Sequence, residues 1–146
     1  MKTVCKRMVS GLLAVMLLSS TCLAAANTSN RASKFFSSTE VWCMAMGNGK
    51  ITVHYDIDAT ETMNKLGVLY VTIYEQKANS TSWREVKTYD WNNASGLTVS
   101  NAYTVYDSVW YQGVAGAKYY AEVGCYAKLG NQDATLAQDT RVITAT

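Results

Sequence analysis

GAKYYAEVGCYAK, residues Gly116 to Lys128, decides the fold. A turn at Gly116 is followed by strict two-residue alternation. Tyr119, Ala121, Val123, Cys125 and Ala127 point one way; Tyr120, Glu122, Gly124, Tyr126 and Lys128 point the other. One face is continuously apolar, so the run reads as a central strand of a β domain with the Tyr119 face in the core.

Working outward, other alternating runs have the same character. Ile51, Val53, Tyr55 and Ile57 alternate with Thr52, His54, Asp56 and Asp58, a half-buried strand over Lys50–Asp58. Phe35–Met46 precedes it, with both faces apolar. Gly47-Asn48-Gly49 between them favours positive φ and predicts a hairpin. Residues 59–66, ATETMNKL, break the alternation. Met63 and Leu66 stand three apart, which predicts one helical turn. Val68–Gln76 is a strand with Leu69, Val71 and Ile73 on one face. Trp83–Trp91 is another, its irregular apolar spacing pointing to an edge or a bulge. Leu97–Asn101 is either strand or loop, and Tyr103–Tyr111 is a strand whose apolar set includes Asp107. Gly130-Asn131 predicts a second hairpin, into a last strand within Thr135–Thr144. About seven short strands with no long amphipathic helix predict an all-β, antiparallel fold. A β-sandwich is preferred over a small barrel, because the strands bearing Cys43 and Cys125 belong in different sheets.

Residues 1–26 read as a secretory signal. Lys2, Lys6 and Arg7 precede an apolar run from Met8 to Leu18, and Ala24, Ala25 and Ala26 suit a cut before Asn27. The run is too short to span a bilayer. Cys22 raises a lipoprotein alternative, but Ser19 and Thr21 stand where a lipobox needs Leu and a small residue. The expected mature chain comprises a flexible lead, residues 27–34, and one β-sandwich domain, residues 35–146. Removing the signal leaves ten basic and eleven acidic residues, so the net charge falls from +2 to −1. No basic surface remains to favour nucleic acid or anionic lipid, and no second apolar run suggests a membrane span in the mature chain. Export makes a Cys43–Cys125 disulfide the simplest expectation, with a stabilisation of ~4 kcal/mol. Two free buried thiols are the alternative.

Gly116-x-x-Tyr119-x-Ala121-x-Val123-x-Cys125 resembles the sixth strand of immunoglobulin-like and fibronectin type III domains, which implies a seven-stranded antiparallel sandwich. Thr60-x-Thr62-Met63-x-x-Leu66-Gly67, Val71-x-Ile73-Tyr74-Glu75, Trp83-x-x-Val86 and Tyr111-x-Gly113-x-x-Gly116-x-x-Tyr119-Tyr120-Ala121 resemble a group of small exported Gram-positive bacterial proteins of unknown function. That resemblance implies a secreted β domain and carries no catalytic residues.

Candidate chemistry is sparse. His54 is the only histidine, which leaves no second imidazole for a zinc site. Asp56, Asp58 and Glu61 are the one cluster of oxygen ligands that calcium would favour, but without EF-hand spacing. No nucleophile elbow, phosphate loop or Cys–His arrangement is present, so no catalytic residues and no cofactor are assigned. Three Asn-x-Ser/Thr triplets, at Asn27, Asn79 and Asn93, would matter only in a eukaryotic secretory route. The excess is aromatic: sixteen Phe, Trp and Tyr residues, all beyond residue 26. Tyr106, Trp110, Tyr120 and Tyr126 lie opposite the core faces. If Tyr103–Tyr111 pairs with Tyr119–Lys128, these four form an exposed aromatic ladder. The sequence therefore points to a secreted, non-enzymatic module that binds an extracellular protein or a glycan. A structural envelope domain without a ligand is the alternative.

Overall fold

The computed structural model describes residues 34–146. The expected signal segment, and the expected lead except for Lys34, lie outside the described residues. Every element within them is a strand: β1 (Phe36–Gly47), β2 (Lys50–Gln76), β3 (Arg84–Asp90), β4 (Thr98–Gln112), β5 (Lys118–Leu129), β6 (Gln132–Asp139) and β7 (Ile143–Thr144). No helix in this range is long and apolar enough to cross a membrane.

All pairings are antiparallel. They join the seven strands into a single sheet, a curled half-barrel. The strand β2 organises it. Its first part, residues 50–58, lies between β1 and β4; residues 65–67 lie between β4 and β5, and residues 70–75 between β3 and β5. A straight strand of 27 residues would run roughly 90 Å. Instead both ends of β2 meet the same short segment. The Gly113 amide donates to the Gly49 carbonyl at 3.1 Å. The Val114 amide donates to the Tyr119 hydroxyl, which in turn donates to Glu75. The chain therefore doubles back between these points. The reversal coincides with residues 59–62, which have no partner on β4.

This is where the sequence reading needs correction. Residues 59–66 form no helical turn; the chain stays extended through the bend, and Met63 and Leu66 are fully buried. Gly67 makes the tight passage possible. Its φ is +146°, and an added Cβ would lie 2.8 Å from the Thr98 Cα. Leu69 is half-exposed rather than core. A register shift between Val68 and Tyr70 takes it out of the ladder and leaves Val68 and Val71 buried instead. The irregular Trp83–Trp91 run is an edge strand with a register shift, as its spacing predicts.

The β5 face carrying Tyr119, Ala121, Val123, Cys125 and Ala127 is fully buried, against Ile51, Val53, Tyr55 and Ile57 from β2. The expected disulfide is not formed: Cys43 and Cys125 are free, buried thiols. Cys43 lies against Thr140, whose hydroxyl approaches its Sγ at 3.2 Å and also receives the Ala121 amide. Cys125 is four residues farther along the same strand, roughly 13 Å away. Bridged Cα atoms must lie within about 7 Å. Burial pushes both thiols up, Cys125 to about 12.

Candidate functional site

The alternation of β1, β2 and β4 puts one set of side chains inside and the other on an open outer face. Four cross-strand rows define that face: Ser38, Asp58 and Thr104; Glu40, Asp56 and Tyr106; Trp42, His54 and Ser108; and Met44, Thr52 and Trp110. In the middle of it the rings of Trp42 and His54 stack at 5.2 Å with 10° between their planes. Tyr106 adjoins both, at 6.1 Å from Trp42 and 6.2 Å from His54, tilted by 40° and 30°. Trp110 stands two rows along β4, with the Lys50 ammonium 4.6 Å from its ring centroid.

This face is open. Tyr106 is 65% exposed, Trp110 57%, Met46 56% and Met44 46%. The rim is acidic and hydroxylic. Glu40 lies directly opposite Asp56, and Asp58 accepts a hydrogen bond from the Ser38 hydroxyl at 3.0 Å. Directly opposed like charges cost stability in an antiparallel pair. Neither Glu40 nor Asp56 takes part in an ion pair; among the described residues that role falls to Glu75 with Arg84.

The four aromatic residues expected to form one ladder do not. β4 pairs only with β2, and β5 pairs with β2, β6 and β7, so β2 lies between them. Tyr106 and Trp110 belong to the open face above. Tyr120 is stacked on Tyr74 at 4.8 Å and meets the edge of Trp83 at 4.8 Å. Tyr126 sits opposite Gly67 and Thr135. Both are only partly exposed, and their rings strengthen the sheet. The residues missing from the sequence-based ladder are Trp42 and His54. The Gly47–Lys50 closure is followed by a register shift between Ala45 and Gly47, which aligns Trp42 with His54. A two-residue hairpin without that shift would oppose Trp42 to Tyr55, on the inner face.

The calcium candidates do not converge. Glu61 falls in the 59–62 stretch that has no partner on β4, outside the Asp56 and Asp58 rows. Among the described residues no three His, Cys, Asp or Glu side chains are placed to hold a metal ion. No family model matches this sequence. A search of curated proteins likewise finds no matching relative.

Buried Glu75 is a structural group. Burial pushes its carboxyl up, but hydrogen bonds from Tyr119 at 2.6 Å and Arg84 at 2.6 and 3.0 Å outweigh this and hold it below its ordinary value.

Proposed function

We propose that this chain is an exported, non-enzymatic binding module that engages its extracellular ligand through the outer face of β1, β2 and β4. One observation carries the reading: Trp42, His54, Tyr106 and Trp110 gather on an open sheet face beside uncompensated Glu40 and Asp56. A sheet that served only its own stability would cover such rings and separate such carboxylates. The basic, apolar and small-residue layout of residues 1–26 supports export, and the resemblance to exported Gram-positive proteins supports a bacterial source.

The finer architecture we propose is an immunoglobulin-like sandwich. In it β1, the first half of β2 and β4 form one layer, and β3, the second half of β2, β5 and β6 form the other. The Tyr119 hydroxyl, which accepts from the Val114 amide five residues upstream, supports this reading; such a tyrosine corner is a hallmark of that fold.

The test is retention on the insoluble extracellular and envelope material of bacterial cultures. The parent protein should be depleted from solution. The triple variant Trp42→Ala, Tyr106→Ala, Trp110→Ala should stay in the supernatant with an unchanged far-ultraviolet circular dichroism spectrum. Equal retention of parent and triple variant would overturn the assignment of the face.

A further inference from the structure

We infer that Asn48 is a self-modification site. Its side-chain amide is lost to the neighbouring Gly49 nitrogen when the segment around Thr146 leaves the β1–β2 turn. The reaction needs no ligand on the outer face.

The chemistry starts from the sequence. Asn48 is the only asparagine of the chain that is followed by glycine. Closure of an asparagine side chain onto the next main-chain nitrogen is slowed by crowding at the next residue, and glycine has no Cβ to crowd it. The deprotonated Gly49 nitrogen attacks Asn48 Cγ. The N–Cγ bond forms, the Cγ–Nδ2 bond breaks, and Nδ2 leaves as ammonia with protons taken from solvent. Water then opens the cyclic imide at one of its two carbonyls. One opening leaves an aspartyl residue in the normal chain. The other leaves an isoaspartyl residue, through whose side-chain carbon the main chain now runs. The balance is one water consumed and one ammonia released, with no oxidant or reductant.

The folded protein restrains the groups that must move. Asn48 is exposed, so its side chain is open to water. The peptide joining it to Gly49 is held at both ends. Gln112 Nε2 donates to the Asn48 carbonyl at 2.8 Å. The Gly49 amide donates to the Thr146 carbonyl, also at 2.8 Å. The Gly49 carbonyl in turn accepts from the Gly113 amide at 3.1 Å. Gly49 itself is buried, and a Cβ on it would lie 2.7 Å from the Gly113 carbonyl oxygen. An N–H engaged by a carbonyl gives up its proton less readily. A peptide fixed on both sides does not rotate to bring its nitrogen onto Cγ.

Thr146 is the part of this clamp that lets go most easily. The strand before it, β7, is two residues long and meets β5 only at Lys118 and Tyr119. Beyond β7, Ala145 donates to Ala117 and accepts from Gly116. So lightly held a segment opens on its own, well below the cost of global unfolding. Each opening frees the Gly49 amide, and the lost ammonia makes the change irreversible. The turn therefore accumulates a record of how often this segment detaches. The outer face feels the result. Gly47 pairs with Lys50, and the register shift between Ala45 and Gly47 sets Trp42 opposite His54. An isoaspartyl residue lengthens that closure by one main-chain carbon and removes the constraint on the register.

The experiment incubates the purified protein at pH 8 and follows Asn48 by peptide mass spectrometry, with enzymatic methylation to count isoaspartyl residues. All folded samples are held below their melting transitions. Asn48 should convert about tenfold or more faster in guanidinium than in the native protein, the factor for an opening that costs one or two net hydrogen bonds. Truncation after Thr144 should raise the native rate about fivefold, the equivalent of one net hydrogen bond. Gln112→Ala, which leaves Thr146 in place, should raise it by a similar factor. Asn93 and Asn131, exposed but followed by Ala94 and Gln132, should stay intact over the same period. Equal rates in native and unfolded protein would overturn the clamp. An Asn48 as durable in guanidinium as Asn93 and Asn131 would overturn the site. A truncated chain that folds and converts at the parent's rate would overturn the part given to Thr146. Should truncation abolish folding, Gln112→Ala converting at the parent's rate would overturn the clamp in its place.

Discussion

Glu75 illustrates how far a single residue can depart from its sequence context. It ends an apolar strand, where a carboxylate reads as a solvated charge, yet it is 2% exposed. Tyr119 and Arg84 supply the donors that burial removes. Replacing Tyr119 with Phe leaves one carboxylate oxygen and the Val114 amide without this partner. The urea midpoint should fall by an amount equivalent to about 1–3 kcal/mol. The carboxyl is held below its ordinary value of 4.5 in the folded protein, so its stabilisation is present above pH 4.5 and is lost as pH falls through the folded value. Stability measured by urea should therefore decline with acidification below that point, and less steeply in Glu75→Gln. The cysteines give a second test. Both thiols are buried and raised, Cys125 to about 12, so a thiol reagent at pH 8 should find none in the native protein prepared from Asn27 onward, without Cys5 and Cys22. It should find two in guanidinium without reductant; finding none there would mean a bridge. The sequence could not separate these outcomes, because the compartment argument concerns redox conditions and not distance. The distance depends on which residue of β5 faces Cys43, and that is Ala121 rather than Cys125.

Among the elements, β5 and the first run of β2 were legible because alternation is a local signal and each has one wholly buried face. β2 was only half legible. Its two alternating runs are clear, but the bend between them is extended chain held by distant partners such as Phe35, whose carbonyl receives the Thr60 amide. No local pattern announces such a bend. Gly67 is its steric hinge. Gly67→Ala would force a left-handed φ on a side chain and press its Cβ against the β4 backbone. Loss of roughly 2–4 kcal/mol or failure to fold is expected, read by thermal unfolding. Gly124 has a different purpose. The Tyr70 ring lies over it, 2.8 Å from where a Cβ would sit, with the Tyr70 hydroxyl donating to Glu122 at 2.6 Å. Gly124→Ala should cost about 1–3 kcal/mol by displacing that ring. In a Tyr70→Ala background the same change should cost much less. A double-mutant cycle reads the difference, and strict additivity would show that the ring is not the cause.

At the scale of the whole molecule, the candidate face and the core are two sides of the same three strands. That explains why the face was only partly readable. Tyr106, Trp110 and the side on which His54 lies follow from alternation alone, whereas Trp42 needs the one-residue shift in the β1–β2 ladder. The two halves of the curled sheet are tied together by the last seven residues. Thr140 donates its amide to the Ala121 carbonyl and touches Cys43; Ala145 donates to Ala117 and accepts from Gly116; the Thr146 carbonyl accepts from Gly49. These residues join the β4–β5 connection, β5, the β1–β2 turn and β1, four separate parts of the chain. Truncation after Asp139 removes four of these backbone hydrogen bonds and the β7 pairing with Lys118 and Tyr119. At about 1 kcal/mol net for each lost bond, plus the exposure of Ala117 and Cys43, the loss should reach at least ~4 kcal/mol. The outer rows of β1, β2 and β4 receive none of these contacts. A truncated chain that still folds at low temperature should therefore keep the parent's tryptophan fluorescence response to ligand while melting well below it. An unchanged melting temperature would mean that the curl is closed by the core alone.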